Sequence, residues 1–279
     1  MMRFLKKTYV FLIFAFLYAP ILVLIVFSFN ESKSRGNWEG LTLKWYRELF
    51  QDRQIMSALY YTLLIAILSS VIATVIGLVA SIGIFHMKKL PQSMVLNLNY
   101  IPILNPDIVT GISLMVLFIS MKMNLGFATM LLAHITFNIP YVILSILPKL
   151  KQMNKHLYEA ALDLGASPVE AFWKVILPEI MPGIITGFLL AFTLSIDDFV
   201  ISFFTTGSGV NNLSIVIFGM ARRGISPKIN ALSTLMFLSV LILLIIVNLR
   251  MSVDNPERRG KNGRSKENGR YLPGIGHDI

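Results

Sequence analysis

The chain has 279 residues, of which 55% are hydrophobic and only 14% are charged. Soluble domains carry about 45–50% apolar and about 25% charged residues, so this composition excludes an ordinary soluble protein. The 25 lysines and arginines outnumber the 15 acidic residues, and their positions decide whether they indicate nucleic-acid binding or membrane topology. The chain has no cysteine and its four histidines are scattered, so disulfides, thiol catalysis and a metal site are not expected.

Six runs are long enough to cross a bilayer as apolar helices of about 20 residues. They cover residues 9–29, 57–85, 95–121, 127–147, 181–204 and 231–249. The third run contains Pro102 and the step Asn105-Pro106-Asp107, so we expect it to be kinked or to begin late. Prolines inside these runs do not exclude a span, because neighbouring helices can satisfy the freed backbone groups. The sequence therefore predicts an all-α polytopic membrane protein with about six transmembrane helices.

The first run follows Arg3, Lys6 and Lys7, as the apolar region of a secretory signal does. It is longer than such a region and no small-residue cleavage site follows, which favours an uncleaved first span. With the N-terminus in the cytoplasm, sixteen of the 25 basic residues lie on the inner face. Because basic residues in short loops favour the cytoplasm, both termini are predicted to be cytoplasmic.

Three regions are predicted along the chain. Residues 1–56 hold the first transmembrane helix and an outer loop, and residues 57–250 form the transmembrane core, which contains a polar loop at 149–180. Residues 251–279 are basic and rich in Gly and Asn, which is typical of a disordered cytoplasmic tail. We interpret the tail as an anchor to anionic membrane lipid, with a specific partner site as the alternative.

The polar loop is too charged for a span and shows the start and stop signals of two short helices. The first is predicted from about Lys155 to Leu164 and ends at Gly165, a residue suited to the left-handed C-cap conformation. Ser167, Pro168 and Glu170 then supply an N-cap, a first-position proline and a capping box, so a second helix is expected to begin at Pro168.

The second helix is predicted to end before Leu177-Pro178, because proline disfavours helical geometry in the residue that precedes it. The loop as a whole is thus a cytoplasmic helix-Gly-helix hairpin. Its alanine pair, Ala160 and Ala161, would let another protein approach the backbone closely. An amphipathic helix lying on lipid is the alternative.

The string EAALDLGASPVEAFWKVILP, from Glu159 to Pro178, resembles the cytoplasmic EAA loop of permease subunits of ABC importers, the MetI-like family. The matching residues are Glu159, Ala160, Ala161, Gly165, Leu177 and Pro178, and Val175 stands where isoleucine is commonest. In that family the loop docks into a groove on the ATPase subunit. The resemblance therefore implies that these seven residues couple this chain to an ATPase.

Other segments resemble the polyamine permeases of the same family, namely residues 18–21, 28–30, 105–109, 134–137 and 192–198. The resemblance implies ATP-driven import of spermidine or putrescine across a bacterial cytoplasmic membrane. The implied partners are a homologous permease subunit, an ATPase subunit dimer and an extracytoplasmic polyamine-binding protein, with no nucleic acid. The sequence has no G-x-x-x-x-G-K-[ST] motif, so this chain is expected to be no enzyme and to bind no cofactor. ATP and Mg would be used by the partner ATPase.

Three acidic residues fall inside apolar runs: Asp107, Asp197 and Asp198. A charge in a span is costly unless it faces a partner or water, so each is a candidate for the substrate path. Carboxylates and aromatic faces bind ammonium groups, which adds Phe199 and Phe203 to the candidates.

Structural roles compete with this interpretation. In the structural alternative, an aspartate caps a broken helix, as Asp107 would after Pro106, or pairs with Arg222 or Arg223. His134, Asn138 and Tyr141 in the fourth run are also possible path residues, although interhelical hydrogen bonding is favoured for them.

Two rival functions remain open on the sequence. The first is an importer of another small cation or of an amino acid. The second is a channel or intramembrane enzyme acting alone, with the Asp197–Asp198 pair as an acid/base dyad. Neighbouring residues on a helix point about 100° apart, which suits a shared catalytic proton poorly.

Overall fold

A computed structural model of the chain describes residues 2–33, 37–223 and 227–253, and within them the regular elements are helices. The helices are α1 (Met2–Ser28), α2 (Lys44–Gln51), α3 (Arg53–His86), α4 (Lys89–Leu104), α5 (Asp107–Ser120), α6 (Phe127–Gln152), α7 (Lys155–Asp163), α8 (Pro168–Ala171), α9 (Leu177–Asp197), α10 (Val200–Thr205), α11 (Leu213–Arg223) and α12 (Pro227–Val253). An isolated bridge joins Asn30 to Leu41. The all-α prediction is confirmed.

The chain divides into two compact units, residues 1–234 and residues 235–279. The described part of the second unit is the continuation of α12 as far as Val253. Nearly all of the predicted tail, from residue 254 onward, lies outside the described residues. The predicted boundaries at 56 and 250 stay predictions.

Four of the predicted spans coincide with helices that are long and apolar enough to cross a membrane. These stretches are Phe4–Ser28, Arg53–His86, Phe127–Gln152 and Pro168–Asp197. The third predicted span is the pair α4 and α5, between which the chain bends by 103°. The two helices are long and apolar enough to cross a membrane only when they are taken together. The kink predicted at Asn105-Pro106 is thus confirmed. The sixth span falls on α12, whose apolar stretch Pro227–Ile242 is shorter than a full crossing within the described residues.

Helices α3, α6 and α9 form the core of the first unit. Their contact surfaces carry small side chains, which a membrane protein needs because helices there associate through close packing. Every fourth residue of α9 along the buried face is small, in the series Gly183, Gly187, Ala191 and Ser195. Larger buried side chains fill the space between the three helices, among them Val142, Ile146, Leu150 and Ile180.

Polar contacts join the described residues between α1 and α3 to their neighbours. Trp45 is buried, and its Nε1–H donates to the Asn30 carbonyl at 2.7 Å. Lys228 at the start of α12 lies 3.5 Å from Glu48 and 3.6 Å from Asp52. These contacts place the first turn of α12 at the same end of the unit as α2.

Candidate functional site

The predicted coupling loop contains the first candidate site, which we name the coupling segment and define as residues 155–178. Helix α7 begins where the Asn154 side chain accepts the backbone N–H of His156 at 3.0 Å. It ends at Asp163, and Gly165 follows with φ of +87°, a conformation that side-chain-bearing residues rarely adopt. The glycine N–H donates to the Leu162 carbonyl at 2.9 Å. The predicted helix and its glycine stop are confirmed.

Ser167 and Glu170 form the predicted capping box at the start of α8. The Glu170 N–H donates to Ser167 Oγ at 3.3 Å, and the Ser167 N–H donates to Glu170 Oε2 at 3.1 Å. Pro168 occupies the first turn, where its missing N–H leaves no helical bond unmade. The end of α7 at Gly165 and the start of α8 at Pro168 are therefore both set by local interactions.

The prediction that the second helix ends before Leu177-Pro178 is wrong. The chain stays helical from α8 through a π-helical turn at Phe172–Ile176 and continues directly into α9. In this turn the Leu177 N–H donates to the Phe172 carbonyl, five residues back, in place of the usual four. The wider turn changes the backbone geometry just before Pro178, where a regular helix would bring the proline ring against the Lys174 carbonyl. The part of the coupling segment from Pro168 onward is consequently continuous helix with the fifth span, while α7 is joined to it by the turn at Gly165.

The coupling segment presents a mixed surface to its surroundings. Glu159 is exposed and its Oε2 lies 3.2 Å from Nδ1 of His156. Leu164 is 89% exposed, and Val169 and Trp173 are also largely exposed. Several exposed apolar side chains on one short polar segment are a feature that a protein-binding surface would use.

The other residues of the matched pattern differ in exposure. Ala160 and Pro178 are exposed, whereas Ala161, Val175 and Leu177 are half-buried. A groove of about 440 Å³ separates the segment from the end of α3. Its lining includes Phe85, His86, Tyr158, Glu159 and Phe172. The structure therefore brings Glu159 to the mouth of a partly apolar groove.

The fifth predicted span, 181–204, is not one helix, and the structure breaks it at the aspartates. Helix α9 ends at Asp197, Asp198 has an extended backbone with ψ of 124°, and α10 begins at Val200. The Asp198 carboxylate accepts the backbone N–H groups of Ile201 at 3.2 Å and Ser202 at 2.7 Å. Asp198 therefore caps α10, the role that the sequence suggested for Asp107.

Neighbouring elements satisfy the carbonyls that the break leaves without helical partners. Asn212 Nδ2 donates to the Asp198 carbonyl at 2.9 Å, and Ser214 Oγ donates to the Asp197 carbonyl at 3.3 Å. Helix α6 contributes His134, whose Nε2 lies 3.0 Å from Ser202 Oγ and 3.6 Å from Asp198 Oδ2. Irregular backbone at membrane depth is tolerated when protein surrounds it in this way.

The three intramembrane aspartates occupy different environments. The Asp198 side chain is 8% exposed, whereas Asp197 and Asp107 are exposed, the latter as the first residue of α5. The Asp198 carboxylate caps α10, the Asp197 side chain is exposed, and within the described residues no hydrogen bond joins the two carboxylates. The shared-proton dyad that the enzyme alternative requires is therefore not formed in this structure.

An aromatic cluster lies beside the break. The Phe199 ring centroid is 5.5 Å from that of Phe203 and 4.5 Å from that of Phe218. Arg222 Cζ lies 5.0 Å from the Phe218 ring, so its cationic group contacts an aromatic face; within the described side chains it forms no ion pair with either aspartate. A cation thus contacts Phe218 in this cluster. The prediction that Phe199 and Phe203 contact a cationic substrate stays a prediction.

A second polar cluster links the core helices. Asn138 Nδ2 donates to Ser195 Oγ at 2.8 Å, and Ser195 Oγ lies 3.0 Å from Ser69 Oγ. The interhelical bonding favoured for His134 and Asn138 is thus confirmed, while Tyr141 is half-buried and packs against Phe137. The serine partners were missed, because serine is common in membrane helices and gives no distinctive pattern.

The chain belongs to the family of inner membrane components of binding-protein-dependent transport systems, which it matches over residues 73–255. It is 37% identical over 264 residues to the spermidine/putrescine transport system permease protein PotC of Escherichia coli strain K12, covering 95% of this chain and 99% of that protein. It is also 40% identical over 229 residues to the putrescine transport system permease protein PotI of the same strain, covering 80% and 82% of the two chains.

The fold agrees with solved structures of transporters. The MetNI methionine ABC transporter in inward-facing conformations matches with a TM-score of 0.57 at 16% identity, over 76% of this chain and 97% of that one. This similarity shows the fold. Together with the family match and the apolar helices, it identifies the chain as a multi-pass inner-membrane permease subunit of an ABC importer.

Proposed function

We propose that this permease imports polyamines, and that the coupling segment is where it receives the force of ATP hydrolysis. The observation that carries the coupling role is the continuity of an exposed, doubly capped segment with α9, the helix that ends at Asp197. A displacement of the segment would move α9 as one body. The substrate class is supported by the names of the relatives PotC and PotI.

The proposed assembly contains a homologous permease subunit, two ATPase subunits and an extracytoplasmic polyamine-binding protein. The ATPase subunits bind ATP and Mg and contact this chain at Glu159, Ala160 and the exposed Leu164. Both termini face the cytoplasm, with the segment between α1 and α3 on the outer face. The chain itself supplies half of the path and no cofactor site.

The cargo path is proposed to pass Asp197, Phe199 and Phe203. A polyamine is a linear chain of ammonium groups separated by methylenes. Carboxylates bind the ammonium groups, and aromatic faces contact both the ammonium groups and the methylenes. Asp197 is exposed beside the aromatic cluster, and Asp107 offers a second carboxylate at the start of α5. ATP binding would bring the ATPase subunits together and turn the path outward through the coupling segment, and hydrolysis would return it.

Uptake by cells that lack their own polyamine importers tests both parts. With the whole operon expressed, this chain should restore uptake of labelled spermidine or putrescine but not of labelled amino acids. Glu159→Ala or Ala160→Trp should abolish that uptake while membrane insertion stays normal. Asp163→Ala is the matched control on α7, because Asp163 is exposed and outside the matched pattern.

The outcomes separate substrate from coupling. Uptake of an amino acid in place of polyamines would overturn the proposed substrate. Normal uptake by both coupling variants would overturn the role of the segment. Transport by the purified chain without ATP would overturn the importer mechanism.

A further inference from the structure

We propose that His134 is a positioning residue: through its contacts with Ser202 and Asp198 it holds the α9–α10 break closed. By closed we mean that α10 stays packed against α6, with Ile201 buried. Of the two neighbouring aspartates, Asp197 is then the one that contacts the cargo. The part that concerns cargo rests on the proposed function. Asp198 then has a structural role and Asp197 a substrate-binding role, although the sequence alone does not distinguish the two residues.

The first argument is the occupancy of the Asp198 carboxylate. One oxygen accepts the N–H of Ile201 and the other accepts the N–H of Ser202, so each oxygen already has a donor from the first turn of α10. The side chain is only 8% exposed, which leaves little of the carboxylate open to a linear polycation. A cation that drew the carboxylate away from the break would leave its backbone donors unsatisfied inside the membrane.

The second argument is the position of His134 on another helix. Its side chain is 1% exposed, and its Nε2 contacts both Ser202 Oγ and Asp198 Oδ2. A polar side chain buried in a span is costly unless it bonds with a neighbour, and here the bonding partners belong to the break itself. One turn and a half earlier on α6, Thr129 Oγ1 donates to the Thr205 carbonyl at 2.8 Å. Helix α6 therefore holds both ends of α10.

The third argument is the contrast with Asp197. Its side chain is exposed, and the hydrogen bond that anchors it to α11 uses its backbone carbonyl, through Ser214. The described contacts of the break therefore use the Asp197 backbone, and the exposed side chain takes no part in them. Capping by Asp198 fixes the residue at which α9 ends, and it therefore fixes the position of the Asp197 carboxylate along the path.

The absence of cysteine from the chain allows a direct test. Ile201 is 0% exposed and lies on α10 directly after the break, so Ile201→Cys reports whether the break is closed. Maleimide labelling of this position is measured in the assembled transporter for Asp197→Asn, Asp198→Asn, Asp198→Ala, His134→Gln and His134→Ala. Uptake kinetics are measured for the same substitutions in the cysteine-free chain.

Asp198→Asn keeps an oxygen that can cap the helix, so position 201 should stay protected and the KM for spermidine should stay within about twofold. His134→Ala and Asp198→Ala should raise the labelling rate about tenfold or more, because the closed break loses interactions across two elements. Their maximal uptake should fall with little change in KM. Asp197→Asn should raise KM with position 201 still protected.

Two results would overturn the inference. One is a rise in KM in Asp198→Asn equal to that in Asp197→Asn while position 201 remains protected, since Asp198 would then bind cargo directly. The other is unchanged labelling in both alanine variants. The conservative variants Asp198→Asn and His134→Gln keep the test valid if the alanine variants fail to fold. Labelling needs no substrate, so a chain that imports something else would fail the uptake test while still reporting on the break.

Discussion

Gly77 in α3 lies directly against Val142 in α6, so that a Cβ added at position 77 would come within 2.5 Å of Val142 Cγ1. Such a distance is far below van der Waals contact, so the two helices can approach this closely only with glycine at that position. The same side of α6 also receives Gly187 of α9, where an added Cβ would lie 3.3 Å from Val142 Cα. Val142 is thus the point at which the three core helices meet.

Gly77→Ala should therefore destabilise the protein by about 1–3 kcal/mol, the usual cost of forcing extra volume into a packed core. Thermal unfolding of the purified transporter measures the change. Gly83→Ala is the matched control on the same helix, because nothing lies within 4 Å of a Cβ at position 83, and it should be neutral or slightly stabilising. Adding Val142→Ala to Gly77→Ala should recover part of the loss. Equal destabilisation by the two glycine substitutions would contradict the close-contact explanation.

Gly165 is required for its backbone conformation, since nothing lies within 4 Å of a Cβ at this position and its φ is +87°. Gly165→Ala should strain the turn between α7 and α8 by about 1 kcal/mol and reduce polyamine uptake, while insertion into the membrane stays normal. Gly165→Asn should retain more uptake, because asparagine tolerates the left-handed region better than alanine does. Uptake per unit of inserted protein is the measurement. Alanine performing as well as asparagine would contradict this account.

The coupling segment could be predicted from the sequence because its signals are local. Asn154, Gly165 and the Ser167–Glu170 pair each act within a few residues of themselves, so no knowledge of the rest of the fold is needed. The end of the second helix was mispredicted because the π-helical turn before Pro178 accommodates a residue that normally stops a helix. A proline rule applied to a regular helix has no means of anticipating that turn.

The break at Asp198 shows what the sequence could not supply. The span reads as one apolar run, and the groups that stabilise its interruption come from α6 and from the segment at Asn212. These partners lie 64 residues before and 14 residues after Asp198, and only the fold brings them together. By contrast, the bend between α4 and α5 could be predicted, because Pro106 stands at the bend itself.

The predicted membrane orientation can be tested with single cysteines, since the chain has none of its own. Leu41 is 79% exposed in the segment between α1 and α3, and Leu164 is 89% exposed in the coupling segment. A membrane-impermeant maleimide should label Leu41→Cys in spheroplasts and should label Leu164→Cys only after the membrane is opened. The reverse pattern would show that the chain is inverted, and labelling of both in sealed spheroplasts would contradict the topology.

Asn138 joins α6 to both neighbouring core helices through Ser195 and Ser69. Asn138→Ala should reduce the free energy of unfolding by about 0.6–2 kcal/mol, which is the range found for interhelical hydrogen bonds in membranes. Ser195→Ala should have a smaller effect, because the Asn138 amide can still reach Ser69 Oγ, which lies 3.5 Å away. Unfolding of the purified protein in detergent measures both. If the serine variant lost more stability than the asparagine variant, Asn138 would not be the centre of the cluster.

We expect Pro178 to set the rotation of the part of the coupling segment that precedes it relative to the fifth span. Its missing N–H and its ring disfavour a regular helix, and the π-helical turn at Phe172–Ile176 precedes it. Pro178→Ala would let this turn close into regular helix, which offsets the segment by one residue and turns it by about 100° relative to α9. The helix should be at least as stable as before, yet Glu159 and Leu164 would point elsewhere, and uptake should fall about fivefold or more.

Pro182→Ala is the control, because Pro182 lies inside α9 after the π-helical turn and its replacement leaves the segment in place. Uptake at equal expression, together with cross-linking from Leu164→Cys to the ATPase subunit, measures the outcome. Full uptake and unchanged cross-linking in Pro178→Ala would mean that the proline does not set this angle.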